Sequence, residues 1–148
     1  MKSIVSFCLL AVMLSVKPGY AQDVVPEFHE SHIEQKRNAP FSDVVVANGF
    51  MFLAGQIGFD YTTGELAEGG IKEQTLQTIM NIKAVLEKHN ASLDQVIKCT
   101  VILKNIEDFK AFNEVYVQYF PNKPARTTFA AAGLARDALI EIDCIAVK

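Results

Sequence analysis

The chain has 148 residues, half of them hydrophobic, and a formal net charge of −3. That is enough apolar material for the core of one compact domain. The acidic balance argues against nucleic acid as an obligate partner, because phosphate binding relies on a basic surface.

The first stretch, MKSIVSFCLLAVMLSVKPGYAQ, reads as a targeting segment rather than as part of a fold. Lys2 supplies a positive start, Ile4 to Val16 is an apolar run short for a bilayer span, and Pro18-Gly19 then breaks any helix. Small residues at Gly19 and Ala21 fit a signal-peptidase site. The expectation is a signal peptide over residues 1–21 and one domain over residues 22–148, exported to the periplasm or secreted, with no membrane attachment after cleavage. Cleavage removes Lys2 and Lys17 and no acid, moving the charge from −3 to −5. It also removes Cys8. Cys99 and Cys144 remain at apolar strand positions and read as buried small hydrophobes; spacing leaves open whether they pair. His29 and His32 lie in a polar stretch and read as solvated, and no cysteine or histidine spacing suggests a metal site.

From Pro40 the pattern becomes regular. SDVVVANGFMFLAGQIG predicts two strands joined at Asn48-Gly49, since both residues tolerate positive φ. FDYTTGELAEGG reads as a polar loop. Residues 71–90 predict a helix with Leu76, Ile79, Ile82 and Leu86 on one buried stripe, stopped at His89-Asn90. QVIKCTVILK predicts a strand with Ile97, Cys99, Val101 and Leu103 on one face. Asn105 is a candidate N-cap for a second helix, with Asp108 in its first turn. Phe109, Phe112, Tyr116 and Tyr119 then form an aromatic stripe that reads as core packing, and Pro121 ends the helix. ARTTFAAA and ALIEIDCIAV predict two last strands. The order ββαβαββ implies an α+β fold: one mainly antiparallel sheet with both helices on one face. Val101, Ile102, Phe129 and Ile145 leave apolar surface on the sheet that neighbouring subunits are expected to cover.

Two charges interrupt the last strands. Arg126 follows Pro124-Ala125 on an otherwise apolar stretch, and a charged fork with five donors is expensive to keep there without an anion. In the last strand, alternation puts Ile140, Ile142 and Cys144 on one face and Glu141 and Asp143 on the other, with Leu139 and Ile145. A hairpin through Gly133 to Asp137 is expected to bring Glu141 toward Arg126. On pattern alone, an ordinary arginine–carboxylate pair at an edge or interface remains open.

KPARTTF and AAAGLARDALIEIDCIAV resemble the signature of the RidA (YjgF) family of imine deaminases, and the likeness extends through APFSDVVVANGFMFLAGQIG, TGE, QTLQTIMNIKAVLE and VIKCTVILKNIEDFKAFNEVYVQYF. It implies a chorismate-mutase-like homotrimer with sites in the clefts between subunits. It implies hydrolysis of 2-imino acids or their enamine tautomers to 2-keto acids and ammonia, with no cofactor or metal. By the same resemblance Arg126 holds the substrate carboxylate and Glu141 positions and deprotonates water. Gly55 lies where backbone approaches the ligand, Asn113 near the cleft, and Thr128 where a cysteine often stands and the backbone helps hold the substrate. The sequence departs from the family pattern at Phe41, where tyrosine is usual, at Ala54, where serine is usual, and at Ala135, where proline is usual. The polar shell around the water is thinner, so the alternative is an exported trimeric binder of small carboxylates without turnover. A third reading, an endoribonuclease, is disfavoured by the acidic charge and by the lack of a histidine near Arg126.

Overall fold

The computed structural model describes residues 24–148, so the expected signal peptide and its cleavage point lie outside the described residues. The elements run β1 (Glu27–His29), β2 (Val44–Ala47), β3 (Phe50–Ile57), β4 (Phe59–Asp60), β5 (Glu65–Leu66), α1 (Ile71–Lys88), β6 (Val96–Leu103), α2 (Phe109–Tyr119), β7 (Ala125–Ala130) and β8 (Ile140–Val147). Asn48 and Gly49 take φ of 49° and 78° and close β2 onto β3 with Ala47 opposite Phe50, as the two-residue turn requires. Strands β4 and β5 form a small hairpin inside the segment expected to be loop, and Phe59 is buried there.

Six strands make the main sheet in the order β1-β2-β3-β8-β6-β7. All neighbours are antiparallel except β6 and β7. This overturns the expected hairpin between the last two strands. Helix α2 returns the chain in the direction of β6, so β7 pairs parallel to it on the outside edge. The chain then crosses back, and β8 fills the gap between β3 and β6. Its alternation suits that central place: Ile140, Ile142, Cys144 and Ala146 are all buried.

Helices α1 and α2 contribute to the core that covers one face of the sheet. Ile79, Ile82, Val85 and Leu86 of α1 and Phe112 and Tyr116 of α2 join the β8 residues, Met51, Leu53, Val101 and Leu103 in that single core. Three expectations fail. Val101, expected among the surface left for a neighbouring subunit, is fully buried under the helices, because it shares the face of Cys99 and Leu103. Leu76 is 39% exposed: two steps of three residues turn it about 120° from Ile82, and Thr75 and Thr78 take the buried places. Their hydroxyls donate to the carbonyls of Ile71 and Gln74 at 2.6 and 2.7 Å, which satisfies them inside the core. Ile97 is 43% exposed because the β6–β8 register slips between Val96 and Lys98, and Val96 enters the core instead. Cys99 and Cys144 face each other across that ladder, buried and unbonded, with Sγ atoms 3.3 Å apart.

The opposite face is bare in the single chain. Register aligns Phe28, Val45, Phe52 and Ile145 in one row, and Phe52 and Phe129 are 44% and 45% exposed. Among the described residues no helix is long and apolar enough to cross a membrane.

Burial ranks the core substitutions. Ile142→Ala, at a fully buried position in the central strand, should lower unfolding free energy by about 2–5 kcal/mol. Leu76→Ala should cost less than about 1 kcal/mol. Denaturant titration of the two variants checks the ranking, and equal losses would contradict the helix phase described above.

Candidate active site

Arg126 and Glu141 occupy separate places. Arg126 lies opposite Cys99 on β6, and Glu141 opposite Ile102. The offset is two ladders and three residues, so the Cα atoms are about 14 Å apart by strand spacing and rise. Three is odd, so the two side chains leave opposite faces of the sheet. The sequence-based expectation that they approach within one chain is therefore corrected.

Arg126 projects on the helix side, behind the edge strand. Its Nη1 donates to Asn113 Oδ1 at 2.8 Å. The guanidinium carbon lies 4.6, 5.1 and 5.7 Å from the ring centres of Tyr116, Phe112 and Phe109. The aromatic stripe of α2 is thus more than core packing: it is also the bed of this cation, whose face the ring quadrupoles attract. Among the described residues no carboxylate pairs with Arg126, so its remaining donors are free for an external anion. The cavity beside it measures about 410 Å³ and is walled by Asn113, Tyr116, Val117, Phe120 and Lys123. Thr128 is two residues along the same strand face, and its Oγ1 is buried without a partner. Tyr116 OH is also buried and unpartnered. Burial first, and Cys99 beside it, push that phenol well above its usual range.

Glu141 opens into a second cavity of about 480 Å³ with Gly55, Lys36, Phe41, Tyr61 and Arg136 among its walls. Its carboxyl packs directly on Gly55. A methyl group on that glycine would overlap Oε1 and lie 2.9 Å from Cδ, so only glycine admits the carboxylate here. Burial, and secondarily the Asp143 charge, raise the carboxyl above the ordinary glutamate range. A carboxylate made more basic in a cleft is suited to accept a proton from water. Phe41 lines this cavity without a hydroxyl. Ala54 sits beside Gly55 at the β3–β8 irregularity, where its N–H donates to Asp43 O at 2.9 Å.

Helix α1 braces the backbone behind this cavity with side-chain amides. Asn81 Nδ2 donates to Ile57 O and Phe59 O, both at 2.9 Å, and Gln74 Oε1 accepts from Leu139 N at 2.8 Å. These bonds fix the end of β3 and the entry to β8. Sequence reading missed Lys36, Tyr61 and Arg136, which arrive on turns rather than by any period, and Gln56, which the β3–β8 irregularity turns toward the cavity. Lys36 Nζ pairs with buried Asp43 and donates to Gln56 Oε1 at 3.3 Å. Tyr61 restores a phenol to the wall, and burial followed by the Asp43 charge raises its hydroxyl above the usual range.

All three histidines gather elsewhere, around a cavity of about 540 Å³ beside β1. His29 is half-buried rather than solvated and packs edge-on against His89 at 4.7 Å. Burial, then His29, lowers His89 below the ordinary histidine value. Among the described residues no group of three or more candidate ligands could hold a metal ion.

The family described as endoribonuclease L-PSP matches residues 33–148. A RutC family protein of Pyrococcus horikoshii is 50% identical over 110 residues, 74% of this chain and 87% of that protein. Human 2-iminobutanoate/2-iminopropanoate deaminase is 36% identical over 110 residues, covering 74% and 80% of the two chains. The crystal structure of RidA from the Antarctic bacterium Psychrobacter sp. superposes with a TM-score of 0.71 at 33% identity, over 82% of this chain and 94% of that one.

The raised carboxyl of Glu141 makes a stability prediction. The folded chain binds this proton more tightly than the unfolded chain does. The stability it contributes is complete below the unfolded value of about 4.3 and is lost as pH rises through the raised native value. Glu141→Gln should therefore leave thermal stability unchanged near pH 4 and raise it at pH 7. Scanning calorimetry at the two pH values checks this; a mutant less stable at pH 7 would contradict it.

Proposed function

The chain belongs to the endoribonuclease L-PSP (YjgF/RidA) family, and from that membership we propose that it hydrolyses 2-imino acids, or their enamine tautomers, to 2-keto acids and ammonia. The observation that carries this reading is the pair of half-sites. One holds a guanidinium with donors to spare on an aromatic bed; the other holds a carboxylate of raised basicity against Gly55. Since one chain keeps them on opposite faces, the complete site forms between subunits, Arg126 from one and Glu141 from its neighbour. A homotrimer, typical of the family, would also cover Phe52, Ile145 and Phe129, whose exposure favours association.

In this site Arg126 binds the substrate carboxylate with two parallel hydrogen bonds, held in orientation by Asn113. Thr128 and Gly55 border the bound acid through their backbones. Glu141 takes a proton from water as the oxygen attacks C2 of the protonated imine. Glu141 then returns its proton to the carbinolamine nitrogen. The C–N bond breaks and ammonia leaves while the hydroxyl proton passes back to Glu141, so that the C2–O bond becomes the ketone carbonyl. Transfer of that proton to the departing ammonia gives ammonium and resets the carboxylate. The iminium carbon is already electrophilic, so the chemistry calls for no metal or organic cofactor. Ribonuclease action is disfavoured: the charge is acidic, and no histidine lines either cavity.

Phe41 and Ala54 favour a second reading, a binder of small carboxylates that keeps Arg126 and lacks turnover. Ammonia and keto-acid release from freshly generated 2-iminopropanoate separates the two. Arg126→Lys and Glu141→Gln should each abolish most release, the latter by about 10²–10⁴-fold. Trimers mixed from equal amounts of the two mutants should recover about a quarter of wild-type activity, because a quarter of the sites then pair intact halves. No recovery would place both groups in one chain's site; wild type that never exceeds spontaneous hydrolysis while binding pyruvate would establish the binder.

Export completes the proposal, and imines formed outside the cytoplasm are then the substrates met. Mass spectrometry of the exported protein should find Gln22 at the N-terminus, and recovery of Met1-bearing protein from the soluble cytoplasm would contradict it.

A further inference from the structure

We propose that Arg136 is a second carboxylate anchor, so that this chain prefers 2-imino dicarboxylic acids over three-carbon imino acids; this rests on the deaminase reading above. Arg136 lines the same cavity as Glu141 and Gly55. Its guanidinium carbon lies 4.3 Å from the ring centre of Phe59, a buried residue that meets Tyr61 edge-on at 5.1 Å. A planar cation stacked on a fixed ring keeps its N–H edge free for a planar anion.

The backbone holds it there at a cost. Arg136 and Asp137 take φ of 56° and 62°, two successive non-glycine residues in the left-handed region that side chains with a Cβ disfavour. The turn is pinned on both sides against relaxing. Asp137 Oδ1 accepts from Lys104 Nζ at 2.6 Å, Ala138 is fully buried, and Leu139 O accepts from Lys104 N at 2.9 Å. Strain that persists because its surroundings over-determine it marks a place where side-chain direction matters.

Charge accounting singles out this arginine. The cavity's other cation, Lys36, is already matched by Asp43. Among the described residues no carboxylate lies within ion-pair distance of Arg136. With Arg126 of a neighbour holding the first carboxylate and Glu141 the water, the substrate side chain extends along Phe41, Ile57 and Phe59 toward Arg136. The apolar stretch followed by a guanidinium fits a methylene chain ending in a carboxylate. The reaction balances as before: the imine and water give a 2-keto dicarboxylate and ammonia.

The test compares two product-like probes, pyruvate and 2-oxoglutarate, by titration calorimetry on wild type, Arg136→Gln and Arg136→Lys. Wild type should bind 2-oxoglutarate more tightly. Arg136→Gln should lower the ratio of the two affinities by roughly 10- to 100-fold, the range for losing a hydrogen-bonded charge, and Arg136→Lys should fall between. The same ratio should appear in kcat/KM for 2-iminoglutarate over 2-iminopropanoate, carried mainly by KM. An affinity ratio unchanged in Arg136→Gln, or wild type that prefers pyruvate, overturns the proposal. Wild type that turns over neither imine sinks the deaminase reading instead, while the affinity ratio still decides the role of Arg136.

Discussion

The insertion of β8 between β3 and β6 is the constraint on which the rest of this molecule depends. It places the most regularly alternating strand at the sheet centre, where one face must be fully apolar and the other need not be. Ile140, Ile142, Cys144 and Ala146 meet the helices, and Glu141 and Asp143 are left on the face that no helix covers. The same insertion pushes β7 to the edge, parallel to β6. Arg126 then shares the helix side with Cys99 and Cys144, three residues out of step with Glu141. Both charges escape deep burial this way, one at an edge and one on the open face. Within one chain the two groups, on opposite faces of the sheet, cannot reach the same small ligand.

The environment of Arg126 shows how a cation is kept at an apolar edge. Desolvating a guanidinium without compensation costs several kcal/mol. Here one N–H edge meets Asn113, and the faces meet Tyr116, Phe112 and Phe109. Contacts of the cation–π kind contribute about 0.5–2 kcal/mol, the larger value when water is excluded. They leave the outer N–H groups without a partner among the described residues. An ammonium in the same place would keep the charge but lose the planar stack and the paired donors together.

Glu141 illustrates the opposite compromise. Burial against Gly55 raises its basicity and makes its ionised form costly to the fold. A nearby turn carries a cost of another kind, left-handed backbone at Arg136 and Asp137. Both costs are met by the surrounding frame: the α1 amides of Gln74 and Asn81 tie β3 and the start of β8 to the helix, and Lys104 ties down the turn. Local destabilisation concentrated around one cavity, inside an otherwise well-satisfied core, is what a site shaped for chemistry looks like.

The sequence by itself determined the elements and much of their facing. Asn48-Gly49 closes a hairpin because both residues tolerate positive φ, and the alternation of ALIEIDCIAV assigns Glu141 to the open face whatever the neighbours are. It also singled out Arg126, since a charge in an apolar stretch is visible locally, whereas Gly55 and Asn113 were marked only by the family resemblance. Helix phase was less legible: Leu76 gave way to Thr75 and Thr78 because a threonine hydroxyl can satisfy itself on its own helix. The bulge at Ile97 was invisible for a related reason, as a register slip exists only between strands. Tertiary structure alone decided strand order, and with it the separation of Arg126 from Glu141, because adjacency in sequence does not say whether a third strand will intervene. It also decided that Lys36, Tyr61 and Arg136 line the cavity. Turns brought them there, and a turn's direction is set by what its two ends are tied to rather than by any period in the chain.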